Sequence, residues 1–198
     1  LHNIGIAYSK MGKFIEAFTH FAQANALYKE LFKDEEDLHP DLVLCTNDFA
    51  QACVRSGHKQ KALPLYQAIV DLRKRFGNEG SIAQATSYFN LGELLSQLGE
   101  VEKGAEYLQK AHKLHKKLLP EIHPDIAKSY NSQSSSSLRL GKYDKALKYG
   151  QKALKLNEII FGQEHPSLAE CFRHIALAYA GLKDNLHALK FGELALKL

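Results

Sequence analysis

Ten histidines and three cysteines are the residues of this chain that could hold a metal ion or attack a substrate. His39, His123 and His165 each precede a proline. They recur at equivalent places, so each belongs to a different helical layer, on the order of 16–20 Å from its neighbour. Zinc ligands lie within about 2.1 Å of the ion, so these three cannot share one. His112 and His115 fall on one helical face, but no acid or third ligand stands a turn away. Cys45 and Cys53 lie on one predicted helix, and Cys53 takes a place that other copies fill with Tyr8, Leu95 and Tyr179. Small buried hydrophobes are the expected roles. An odd cysteine count without a C-x-x-C pair argues against a disulfide framework and for a reducing, cytoplasmic setting. No G-x-S-x-G, phosphate-cradling glycine loop or matched carboxylate pair occurs. The expectation is a protein that binds, with no catalytic residue, no metal and no cofactor.

Lysines supply the other candidate chemistry. Lys110, Lys113, Lys116 and Lys117 form one basic stretch, and Lys145, Lys148, Lys152 and Lys155 a second. Apart from Tyr149, no Phe, Tyr or Trp interleaves with them for base stacking, so no nucleic-acid platform is expected. They read as solvated helix faces, with contact to an acidic protein, RNA or anionic lipid as the alternative. The net charge is +4, drawn from −1 over residues 1–99 and +5 over residues 100–198. At 45% apolar and 24% charged, the composition is that of a globular chain. No stretch approaches the roughly 20 apolar residues of a membrane-spanning helix. No signal peptide is visible, and a first residue that is leucine rather than methionine suggests a piece of a longer protein.

The elements that position these residues repeat. Gly12, Gly57, Gly99, Gly141 and Lys183 align at steps of 45, 42, 42 and 42 residues. Seven residues earlier stand the small residues Gly5, Ala50, Gly92, Ser134 and Ala176, and five residues later Ala17, Ala62, Gly104, Ala146 and Ala188. Each copy therefore reads as two amphipathic helices that approach closely at small residues and turn at a glycine. His39-Pro40-Asp41, His123-Pro124-Asp125 and His165-Pro166-Ser167 open new pairs, proline fitting the first turn and aspartate the positive end of the helix. Asn78-Glu79-Gly80-Ser81 is assigned the same job. First helices are predicted over 1–11, 41–56, 81–98, 124–140 and 166–182. Second helices are predicted over 14–33, 59–76, 101–118, 143–161 and 185–198. The fourth copy departs from the rest, because Gln133, Ser137 and Gly150 replace larger apolar residues. Loose packing or a filled pocket is expected there.

This pattern resembles the tetratricopeptide repeat, in its 42-residue form found in kinesin light chains and related scaffolds. The resemblance rests on the paired small residues, the inter-repeat His-Pro-Asp, Asn-Ser-Gln-Ser at 131–134 and Gly-Lys-Tyr-Asp at 141–144. It implies an all-α fold, a right-handed α-solenoid of about five repeats forming one domain over 1–198. The repeats would span about 1–38, 39–80, 81–122, 123–164 and 165–198. It also implies a concave groove built from first helices. The inward residues would be Asn47, Gln51, Arg55, Phe89, Asn90, Glu93, Lys128, Asn131, Ser135, Arg139, Arg173 and His174. A row of asparagines there could pair with an extended peptide backbone. The arginines and lysines favour an acidic partner with an apolar anchor, bound without nucleic acid or membrane insertion. The alternative is a regulatory or assembly segment that packs on other domains of its own chain.

Overall fold

The computed structural model describes residues 1–33, 39–75 and 80–198. Ten α-helices in antiparallel succession make up the regular structure of those residues. They are α1 (His2–Lys10), α2 (Phe14–Leu31), α3 (Pro40–Arg55), α4 (Lys59–Arg75) and α5 (Ile82–Gln97). The remainder are α6 (Val101–Leu118), α7 (Pro124–Arg139), α8 (Tyr143–Phe161), α9 (Ser167–Gly181) and α10 (Asn185–Leu196). These bounds follow the predicted helices to within a few residues, and the architecture is an all-α repeat. Two compact units divide the chain, Leu1–Leu94 and Leu95–Leu198.

All five turns inside helix pairs close in the same way. The backbone N–H groups of Lys13, His58, Glu100, Lys142 and Asp184 donate to the carbonyls of Tyr8, Cys53, Leu95, Ser137 and Tyr179 at 2.7–3.0 Å. This six-to-one bond requires a left-handed residue just before the donor. Glycine fills that place at Gly141, with φ 68°, whereas Lys183 adopts φ 64° with a full side chain. The entry to a pair is equally regular. Pro40 and Pro124 occupy the first turns of α3 and α7. The histidine before each proline accepts from the backbone two residues on, His39 Nδ1 from Asp41 N at 3.2 Å and His123 Nδ1 from Asp125 N at 3.1 Å. His165 Nδ1 repeats the bond to Ser167 N at 3.2 Å. Before α5, Ser81 Oγ accepts from Gln84 N at 3.1 Å, while Asn78 and Glu79 lie outside the described residues.

The core of the first unit gathers Ala17, Phe21 and Ala52, with Ile6, Tyr8, Phe18 and Phe49 packed against them. In the second unit Ile126, Tyr130, Ala153 and Cys171 form the counterpart under Leu119, Tyr149, Leu154 and Leu156. The three thiols are buried and unpaired. Burial pushes each of them up to about 11.

At Gly150 the fourth repeat is filled rather than loosely packed. A methyl group there would stand 3.0 Å from Ile175 Cγ1 and 3.2 Å from Ser134 Oγ, so the neighbouring helices already occupy the space. Ser134 Oγ donates to the Ala146 carbonyl at 2.7 Å across the α7–α8 contact. Gln133 is different in kind. It is 7% exposed, and its Nε2 has no hydrogen-bond partner.

Two substitutions test this account in urea or thermal melts. Lys183→Gly should stabilise the protein by about 1 kcal/mol, because glycine adopts the left-handed conformation without the steric cost a Cβ carries. Gln133→Leu should stabilise by about 1–3 kcal/mol, because it removes a buried unpaired amide at nearly constant volume. A loss of stability in either variant contradicts the packing described.

Candidate functional site

In the first unit the expected site residues lie on α3 and α5. Asn47 and Asn90 are half-buried, and Asn90 Nδ2 donates to Asn47 Oδ1 at 3.1 Å. The two amides thus join adjacent first helices and spend part of their bonding capacity on each other. Gln51 and Arg55 are exposed and Glu93 half-buried. The Arg55 guanidinium lies 4.2 Å from the centroid of the Phe14 ring, a stacking that limits how far it can swing. Phe89 is 7% exposed and packs inward, so it offers no open apolar foothold.

The second unit binds its candidates into one polar network across α7 and α9. Asn131 Nδ2 donates to Glu170 Oε2 at 2.8 Å, and Asn131 Oδ1 meets His174 Nδ1 at 2.8 Å. His174 Nε2 lies 2.9 Å from Arg173 Nη2. Arg173 in turn approaches Glu170 Oε1 at 3.8 Å. A guanidinium only donates, so Nε2 must accept and the proton must sit on Nδ1, facing the Asn131 carbonyl oxygen. The ring is therefore neutral. Burial, and then the Arg173 charge, holds His174 down at about 4. With 1% exposure, His174 fixes the neighbours rather than facing solvent. Ser135 is half-buried on the same side of α7, between exposed Lys128 and Arg139. Arg139 Nη1 donates to the Ser96 carbonyl at 2.5 Å, which ties it to the end of α5.

Several histidines pack on aromatic rings. His20 stacks on Tyr8, His58 on Phe18 and His187 on Tyr179, at centroid distances of 5.3, 5.1 and 4.9 Å. His39 lies against Phe32 at 3.6 Å. Among the described residues, no group of three or more His, Cys, Asp or Glu is placed to hold a metal ion. None of the described helices is long and apolar enough to cross a membrane. Glu170 stands one turn before Arg173 and His174, on the face that the resemblance assigns to the groove.

A family profile described as tetratricopeptide repeat matches residues 1–75, 83–156 and 125–198. The chain belongs to the tetratricopeptide repeat family. Tetratricopeptide repeats generally mediate protein–protein interaction and are typically non-catalytic. Solved structures agree on the fold. The Podosopora anserina nearly identical TPR-like repeats, assigned to a kinesin light chain, superpose with a TM-score of 0.81 at 20% identity, over 99% of this chain and 92% of that one. BtubC (BKLC) from P. vanneervenii gives 0.81 at 22% identity, over 98% of this chain and 76% of that one. The apo form of RapI gives 0.75 at 16% identity, over 99% of this chain and 50% of that one. No curated protein matches the sequence.

The neutral His174 makes the second unit sensitive to acid. An unfolded histidine titrates near 6.5, so between that pH and about 4 the unfolded chain binds a proton that the folded ring refuses. Stability from this group is complete above pH 6.5 and is lost as pH falls towards 4, by on the order of 2–3 kcal/mol. Urea melts at pH 7 and pH 4.5 should show a smaller drop for His174→Gln than for the native protein. Equal drops would refute the buried neutral ring.

Proposed function

We propose that this chain is a protein-interaction module whose first-helix faces hold an extended acidic segment of a partner protein, without catalysis. The observation that carries the reading is the α7–α9 wall of the second unit. There the amide of Asn131 and the hydroxyl of Ser135 lie half-buried beside the exposed cations Lys128, Arg139 and Arg173. Glu170 is the one acid in that group, and it is engaged by Asn131 and close to Arg173. An arginine can grip a carboxylate with two parallel hydrogen bonds, and the network through His174 holds Arg173 in place for it. The α3–α5 face of the first unit repeats the theme more weakly, with Asn47, Asn90, Gln51 and Arg55. Amides that are partly paired with each other keep spare donors and acceptors for a peptide backbone. The buried, unpaired thiols suit a reducing, cytoplasmic setting.

A flexible segment must be ordered on binding, so affinity should be near micromolar, about −8 kcal/mol. Selection from a random peptide display library should enrich acidic sequences carrying one or two large apolar residues. Measured by fluorescence anisotropy, Arg139→Glu combined with Arg173→Glu should weaken the enriched peptide by at least about tenfold, or 1.4 kcal/mol. Lys145→Glu with Lys148→Glu on α8 should leave it unchanged. Enrichment of basic peptides, or sensitivity to the α8 pair alone, would overturn the reading.

A further inference from the structure

A second site lies on a different face of α7. Ile126 and Tyr130 are one turn apart and point away from the side that carries Lys128, Asn131 and Ser135. With Leu119 and Leu156 they floor a cavity of about 620 Å³ between the end of α6, the loop before α7 and the last turns of α8. Ile122 and Ile159, both exposed, extend its apolar lining to the surface. That volume is within the range of small-molecule sites, about 300–1,000 Å³.

Lys116, Lys152 and Lys155 line the same cavity against a single acid, Glu121. Lys152 Nζ stands 5.4 Å from the centroid of the Tyr130 ring, so its charge lies over the apolar wall. Two of these charges, those of Lys116 and Lys152, also act on one neighbouring ring. His112, which meets Ser129 Oγ at 2.7 Å, is held at about 4, first by burial and then by Lys116, His115 and Lys152. The polar side chains of the lining are three ammonium groups, the Glu121 carboxylate and the Tyr130 phenol, so a peptide backbone would find few acceptors for its N–H groups there. An apolar body without internal polar groups incurs no such cost.

We infer that this cavity binds a fatty carboxylate, its chain on the isoleucine and leucine floor and its head among Lys116, Lys152 and Lys155. The site is independent of the first-helix face, and the two can fail separately. The expected anion is a carboxylate held by ammonium groups as point charges, which needs no planar fork.

Isothermal titration calorimetry with dodecanoate, below the concentration at which it self-associates, tests the assignment. Dodecanoate should bind with saturable one-to-one stoichiometry, and dodecyltrimethylammonium, with the same chain and the opposite charge, should bind at least about tenfold more weakly. Lys152→Glu combined with Lys155→Glu should invert that preference. Ile159→Glu, a change at an exposed position, should weaken dodecanoate with an unaltered melting temperature. Equal binding of the two amphiphiles, no saturable binding, or indifference to the lysine reversal would overturn the inference. So would preferential binding of an acidic pentapeptide centred on leucine, whose backbone the cavity should reject.

Discussion

Everything in this fold depends on helix backbones approaching at small residues. Ala17, Ala50, Ala62 and Ala146 are fully buried, and Gly5, Gly92, Gly104 and Ser134 are buried at equivalent places. At the α7–α8 contact the approach is close enough for the Ser134 hydroxyl to reach the Ala146 carbonyl. A larger side chain at either place would push the axes apart and strand the flanking core residues. The surrounding large residues are interchangeable by comparison, since Phe21, Tyr66 and Leu108 fill one equivalent position and are all buried. Gly150 at that same position trades side-chain volume for a closer approach to Ile175, which is why the fourth repeat is tight at that place.

Close approach also determines what the surface can do. First helices that lie near one another bring polar side chains from neighbouring pairs into hydrogen-bonding range. Asn47 meets Asn90 in the first unit, and Asn131 meets His174 and Glu170 in the second. Such bonds restrict side chains that would otherwise lose rotamer freedom when a partner binds. The buried members serve the exposed ones: His174 accepts from Arg173, and Arg173 keeps its place on the surface.

The helix pairs were legible in the sequence because the residues that define them admit few substitutes. Only glycine takes the left-handed turn without cost, and only small residues allow the backbone contact, so a period of 42 survives even where Lys183 replaces the glycine. The site was less legible. Phe89 and His174 were placed on the open face, yet both are buried, because a rotation of a fraction of a turn decides between groove and core and periodicity does not resolve it. The capping role of His39, His123 and His165 was missed as well. Proline and aspartate announce a helix start by type, whereas histidine caps only in the rotamer that aims Nδ1 back at the backbone. The cavity beside α8 is not legible in the sequence, because Lys152 and Lys155 look like any solvated stripe until the fold brings Leu119 and Ile122 to the same cavity.

The last helix pair shows how far each pair relies on the next. Ala176 and Ala188 are only half-buried, while Ser134 and Ala146 in the preceding pair are fully buried. Leu177, Leu189 and Leu196 are exposed, and together with small residues of α9 and α10 they line an open apolar surface. The sequence of this pair satisfies every local rule of the repeat: its turn closes with the same bond, and Asp184 caps α10 by accepting from His187 N at 3.2 Å. Among the described residues, α10 packs chiefly on α9, and the outer side of the pair stays open. Local rules therefore make the helices, and the neighbour makes the core. In such a nearest-neighbour system stability accumulates pair by pair. The polar network of α7 and α9 accordingly draws its rigidity from α8 behind it as much as from its own hydrogen bonds, and a change that loosens the Ser134–Ala146 contact would reach Arg173 without touching it.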